Sequence, residues 1–166
     1  VLFSDIILDE QNPSCAIAHR QELVSQISLA LARNGVRHRI IGSDILRRTC
    51  TSVHMSELNA NYIDPNSRVA VAGVDTLIKM PSDPWFNSVK LVVMDEAHHV
   101  LRENKWGKAV DMFPNSRVLG VTATPCRADG KGLGSHADGV FDVMVVAPGM
   151  RDIINMGYLT DYRIFA

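Results

Sequence analysis

Along the chain, short apolar runs alternate with stretches in which apolar positions recur every three or four residues. That alternation predicts βαβ units around a mainly parallel sheet. The first ten residues place Leu2, Phe3, Ile6 and Ile7 on one helical face. Ser14 to Ala18 reads as a short apolar strand. A helix follows, with Leu23, Ile27, Ala30 and Leu31 at amphipathic spacing and Asn34-Gly35 as its C-cap. Val36 to Ile41 predicts a strand, residues 44–62 a helix, whole or broken, and Asp64 to Ser67 a turn. Arg68 to Ala72 is a further strand, Val74 to Met80 a short helix, and Pro81 to Pro84 a loop. Val89 to Met94 is apolar at nearly every position, as a strand covered on both faces must be. A helix over 104–112, a buried strand from Arg117 to Val121, a strand from Phe141 to Val146, a helix near 149–156 and a last strand from Tyr162 complete the pattern. The expected fold is α/β, with a mostly parallel central sheet between helical layers.

Four of these strands stop abruptly. Ala18 leads into His19-Arg20-Gln21, Ala72 into Gly73-Val74-Asp75-Thr76, Met94 into Asp95-Glu96-Ala97-His98, and Val121 into Thr122-Ala123-Thr124-Pro125. Ligands of an open parallel sheet bind beyond the carboxyl ends of its strands, so four polar strand ends predict a site there. Every strand must end somewhere, usually in polar residues, and that explains one or two of the four. It explains poorly an Asp-Glu pair after six buried positions.

That pair carries the chemistry. An aspartate at the tip of a hydrophobic strand is where nucleotide hydrolases hold Mg²⁺ on the phosphates, and an adjacent carboxylate can activate the attacking water. Two neighbouring carboxylates repel unless a cation or a proton lies between them. A solvated acidic turn is the plainer alternative.

At 166 residues the chain has the length of one domain, with 46% hydrophobic and 21% charged residues and a net charge of −1; no global field points to nucleic acid or membrane. Locally, six Arg face one Glu and one Asp between His19 and Arg48, which by itself reads as a solvated face. Cys15, Cys50 and Cys126 lie far apart, which disfavours a disulfide framework or a zinc site and predicts a reducing, cytoplasmic setting.

Asp95-Glu96-Ala97-His98 resembles motif II of the DEAH-type superfamily-two helicases, and Thr122-Ala123-Thr124-Pro125 resembles their motif III, one strand later. Ala18-His19-Arg20-Gln21-Glu22-Leu23 is similar to motif Ia, and Gly73-Val74-Asp75-Thr76-Leu77 to the next motif that contacts nucleic acid. The stretch Pro125-x-Arg127-x-Asp129-Gly130-x-Gly132-Leu133 looks most like the group holding type III restriction translocase subunits and phage helicases. The resemblance implies the first RecA-like domain of an ATP-dependent motor over residues 1–166, with ATP and Mg²⁺ as cofactors and single-stranded nucleic acid, DNA ahead of RNA, as partner. It implies that Asp95 holds Mg²⁺, Glu96 activates water and His98 links the nucleotide site to motif III. Thr122, Ala123 and Thr124 would then couple nucleotide state to grip, while His19, Arg20, Gly73 and Thr76 would lie on the strand and Arg127 would be an accessory residue.

A motor of this kind also needs Gly-x-x-x-x-Gly-Lys-Ser/Thr to cradle phosphates. Gly107-Lys108 and Gly130-Lys131 lack that spacing and read as loop glycines. In the family a helix like that of residues 1–7 directly follows the loop, so the chain is expected to begin just past it and to lack the second RecA-like domain. Alone it is expected to be inactive. The alternatives are a non-enzymatic nucleic-acid-binding module and the motor subunit of a restriction system. His99 reads as structural, and His38, His54 and His136 as surface or satisfied loop histidines. Trp85 and Trp106 are expected to pack against helices rather than stack on bases.

Overall fold

The computed structural model describes residues 2–127, 130–137 and 139–162. Its elements run α1 (Leu2–Asp9), β1 (Ser14–Ala18), α2 (Gln21–Arg33), β2 (Arg39–Ile41), α3 (Asp44–Leu58), β3 (Val69–Gly73), α4 (Val74–Leu77), α5 (Pro84–Ser88), β4 (Leu91–Asp95), α6 (Lys105–Asp111), β5 (Arg117–Val121) and α7 (Met150–Asn155), with single 3₁₀ turns at Ala97–His99 and Ser135–Ala137. The five strands form one sheet in the order β2-β3-β1-β4-β5. Every pairing in it is parallel.

The α/β expectation is met, and side-chain alternation explains the layering. Cys15 and Ile17 of β1, Ala70 and Ala72 of β3, and Val92 and Met94 of β4 face one core, which Leu77, Phe86, Trp106, Ala109 and Phe113 cover from α4, α5, α6 and the turn after α6. Their neighbours Ala16, Val71 and Val93 face a second core built from Ile7, Val24, Ile27, Leu31, Leu46 and Cys50 of α1, α2 and α3. β1 and the first four residues of β3 and β4 are therefore buried throughout. Each fully buried Val, Leu or Ile contributes roughly 1.5–3 kcal/mol of transfer free energy.

Several boundaries differ from the sequence reading. The β2 strand is confined to 39–41. Within residues 44–62 the chain forms one continuous helix, Asp44–Leu58, that stops at Asn59 in the left-handed conformation, because Ser43 caps its start through the Leu46 amide and no residue within it breaks the ladder. Val74 begins a single turn that ends at Leu77. Pro84, expected in a loop, is the first residue of α5, whose start is capped by Asp83 on the Trp85 amide. In α2 the buried face is Val24, Ile27, Ser28, Leu31 and Ala32, turned slightly from the predicted stripe, and Asn34 with Gly35 at φ +73° closes the helix as expected. Ile7 is buried but Ile6 is 37% exposed; the side chains of Leu2 and Phe3 lie outside the described residues.

The predicted strand over 141–146 does not form. Phe141 makes one isolated bridge with Gly134, and Val143 to Val146 stand in solvent, Val145 at 90% exposure. Their apolar run imitates a strand but has no described neighbour to pair with. The strand expected from Tyr162 onward falls largely on residues 163–166, outside the described residues. His38 and His54, expected at the surface or in loops, are fully buried, and His54 lies within α3.

Candidate functional site

Parallel pairing sets the strand ends level. Ala18 pairs with Gly73 and Ile17 with Met94, so Asp95 stands one step beyond, and Asp95 pairs with Val121. Gly73, Ala18, Asp95 and Val121 thus form a single row across the sheet, and the polar residues that follow them share its carboxyl edge.

The backbone reverses sharply at Glu96, which has φ +53° and ψ +51°. A left-handed residue other than glycine costs on the order of 1–2 kcal/mol. Here it turns the chain directly from β4 into the Ala97–His99 turn. The Glu96 amide donates to Asp95 Oδ1 at 3.0 Å. Burial raises the Asp95 pKa above the ordinary carboxylate value and the charge of Glu96 adds to the rise, while the Glu96 amide and His19 oppose it.

His98 joins the acidic pair to the next strand end. Its Nδ1 lies 2.9 Å from Thr122 Oγ1, 3.4 Å from Thr124 Oγ1 and 3.3 Å from Glu96 Oε2. A carboxylate can only accept, and the Thr122 hydroxyl is within reach of donating to the Thr124 carbonyl at 3.2 Å. The consistent assignment puts the proton on His98 Nδ1, shared between Glu96 and Thr122. The Thr124 amide in turn donates to Thr122 Oγ1 at 3.1 Å, and Ala123 is the exposed residue between the two threonines.

On the other side of the row, His19 follows β1 and Arg20 occupies the N-cap of α2. Arg20 Nε donates to His19 Nε2 at 3.1 Å. The His19 ring meets His99 edge-on at 5.5 Å and Trp106 at 6.2 Å, while His99 and Trp106 lie nearly parallel, 14° apart. Gly73 closes β3, and exposed Thr76 follows on α4. Asp75 pairs with Lys105 at 3.0 Å.

The structure therefore brings together Asp95, Glu96, His98, Thr122 and Thr124 in direct contact or in sequence, and sets His19, Arg20, Gly73 and Thr76 along the same edge. Arg127 is buried and donates to the carbonyls of Gly132 and Ala137, the latter at 2.6 Å; it organises the loop behind the threonines. The arginine-rich stretch does not form one face. Arg33 pairs with Glu57 and Arg47 with Asp44, and Arg39, at the start of β2 on the opposite edge, lies 3.8 Å over the Trp85 ring. Of these arginines, Arg20 stands directly after a strand end. Sequence reasoning missed the His19–His99–Trp106 group; two histidines and a tryptophan spread over 88 positions carry no local pattern.

Mg²⁺ takes one or two protein carboxylates and fills its octahedron with phosphate and water oxygens. No cluster of three or more His, Cys, Asp or Glu arranged to hold a metal ion occurs among the described residues. A partly desolvated aspartate beside a second carboxylate suits Mg²⁺ brought in with a nucleotide, since added positive charge relieves both burial and repulsion.

Residues 6–127 match the family model described as "Type III restriction enzyme, res subunit". The chain belongs to that family. The match spans all four strand ends of this res-subunit domain. It is 29% identical over 156 residues to IRC3 of Saccharomyces cerevisiae, a protein whose name assigns it an inferred ATP-dependent helicase activity; the alignment covers 90% of the chain and 20% of IRC3. The chain thus spans about a fifth of that relative's length. Among solved structures, the UvsW helicase of bacteriophage T4 overlaps with a TM-score of 0.47 at 14% identity, covering 70% of this chain and 39% of that one. The Hef helicase domain of Pyrococcus furiosus overlaps with a TM-score of 0.32 at 16% identity, covering 74% and 32%. Among the described residues, no helix is long and apolar enough to cross a membrane.

Proposed function

We propose that residues 1–166 are part of the first RecA-like domain of a motor that couples ATP hydrolysis to moving along or unwinding nucleic acid, DNA ahead of RNA. The observation that carries this reading is the level row of strand ends. It sets Asp95 and Glu96 beside His98, and His98 against Thr122 and Thr124 of the neighbouring strand. The family match and the relationship to IRC3 support it.

Asp95 would hold Mg²⁺ on the nucleotide phosphates, and the metal would supply charge neutralisation at the transferring group. Glu96, fixed by its turn and by His98, takes the proton of the attacking water. His98 holds the Glu96 carboxylate while bonded to Thr122, so a change at the phosphates reaches the loop after β5. On the same edge Arg20, which His19 holds until a strand arrives, and Thr76, with the backbone near Gly73, contact phosphates of a single strand, a sequence-independent grip. The family's own description favours a place for such a motor in a restriction assembly, where movement serves a nuclease.

The test is Glu96→Gln in the full-length protein that contains this chain. Nucleic-acid-stimulated ATP hydrolysis falls by about 10²–10⁴-fold, the usual contribution of a positioned general base, while nucleotide binding persists. Undiminished turnover overturns the reading.

A further inference from the structure

Between the proposed phosphate contact and the proposed catalytic carboxylate lies an unbroken series of side chains, and two of them, His99 and Trp106, have no part in the mechanism above. It starts at Arg20, an exposed residue whose Nε bonds His19. Because arginine only donates, His19 Nε2 must accept, which leaves the proton on Nδ1. That Nδ1 is buried and has no hydrogen-bond partner among the described residues. Its ring is held instead by aromatic edges, with His99 on one side and Trp106, only 2% exposed, beneath. His99 then lies 4.1 Å from His98, ring centre to ring centre, and His98 is the residue whose single Nδ1 proton is divided between Glu96 and Thr122.

We propose that the His19–His99–Trp106 cluster is a positioning device that makes Glu96 sensitive to whether Arg20 holds a nucleic-acid phosphate. The proposal rests on the function proposed above. A phosphate oxygen competes with His19 for the Arg20 guanidinium. Both bonds have the charged guanidinium as donor, but the phosphate adds an ionised acceptor and can take two guanidinium N–H groups at once, so the phosphate wins and His19 Nε2 loses its donor. His19 has no other described hydrogen bond to fix its ring plane, so it turns, and His99 turns with it against the fixed face of Trp106. His98, packed on His99, then favours one of its two acceptors over the other. Coupling of this kind needs an element with two discrete arrangements that both sites bias, and a proton shared at 2.9 Å and 3.3 Å is one. Trp106 is the anvil: it sits in the core at the start of α6, capped by Asn104 through the Trp106 and Gly107 amides.

The His99 side chain is exposed and makes no described hydrogen bond to Glu96 or to the strand-gripping groups, and its bond to the Glu96 carbonyl runs through the backbone amide at 3.0 Å, so the ring can be altered without opening a cavity or removing that bond. In the full-length protein, His99→Ala should leave ATP turnover without nucleic acid and the KM for ATP unchanged, while the stimulation by a single-stranded DNA oligonucleotide falls about tenfold, a typical coupling between two sites. His99→Phe, which keeps the ring but not its nitrogens, should restore most of the stimulation. His99→Gln is the second ring-less variant should the alanine protein not fold, and it should behave as His99→Ala does. Full stimulation in both ring-less variants overturns the coupling while leaving the motor reading intact. An equal fall of basal and stimulated turnover also overturns it, since that is the mark of a general structural role. Absence of any Glu96-dependent turnover in the unsubstituted protein sinks the motor reading and this inference with it.

Discussion

Two histidine clusters in one small domain show what burial does to the same side chain. In the interior, Ser28 of α2 bridges His38 before β2 and His54 of α3, its hydroxyl oxygen 2.7 Å from His38 Nε2 and 3.0 Å from His54 Nε2. Each remaining ring nitrogen has one partner: His38 Nδ1 faces the Val36 carbonyl at 2.9 Å, and His54 Nδ1 accepts from the Tyr62 amide at 3.4 Å. Those outer partners fix the direction of every bond. His38 donates to Val36 and accepts from Ser28, and Ser28 accepts from His54. Both rings are neutral and all donors and acceptors are used. At the carboxyl edge the opposite holds: one His98 proton serves several oxygens, and His19 keeps an unmatched nitrogen. Complete satisfaction in a buried network rigidifies. Incomplete satisfaction at a strand edge leaves alternatives of similar energy, which a site that must respond to a ligand requires.

The sharpest way to break this contrast is Ser28→Ala. It strands two buried ring nitrogens at roughly 1–3 kcal/mol each, so unfolding in urea should show a loss of about 4 kcal/mol without a change at the edge. Lowering the pH probes the same interior. Burial lowers the His38 pKa from 6.5 to about 4 and lowers that of His54 as well. The unfolded chain therefore binds protons first. The stability His38 contributes is fully present above about pH 6.5, drains away as the pH falls towards 4 and amounts to on the order of 3 kcal/mol. Denaturant midpoints measured between pH 7 and pH 4 should follow that fall, and in His38→Gln the slope should flatten. The smallest effect belongs to the edge. His99→Ala should shift stability by less than about 0.5 kcal/mol, as exposed positions do; a loss near that of Ser28→Ala would mean the two clusters are alike after all.

The difference between the clusters also explains what could be read from the residues alone. The strand ending in Asp95-Glu96 was legible because a strand buried on both faces is apolar at consecutive positions and an acidic pair there has no packing role, though it runs Leu91–Asp95 rather than from Val89, with Lys90 exposed before it. The level arrangement of the strand ends followed from parallel pairing. The Ser28–His38–His54 network was not legible: its members are 10 and 26 positions from Ser28, and a histidine in a polar stretch looks the same whether it ends in water or in a core. Val143 to Val146 misled for the converse reason, since apolar β-branched residues report a tendency to pair but not the presence of a neighbour. The arginine-rich stretch, read as a solvated face, is mostly exposed but not one face, because the α2 crossover carries the chain from Arg20 after β1 to Arg39 at the opposite end of the sheet.

The left-handed backbone at Glu96 has one more consequence. Glycine would occupy that corner at ease, and glutamate does so under protest. The cost lies in the Cβ, so glycine would relieve it while giving up the Glu96 contact to His98. Glu96 is therefore an unfriendly tenant of its own architecture, and a search for hardier variants of this protein would drift towards glycine there, trading the candidate catalyst for a more comfortable bend.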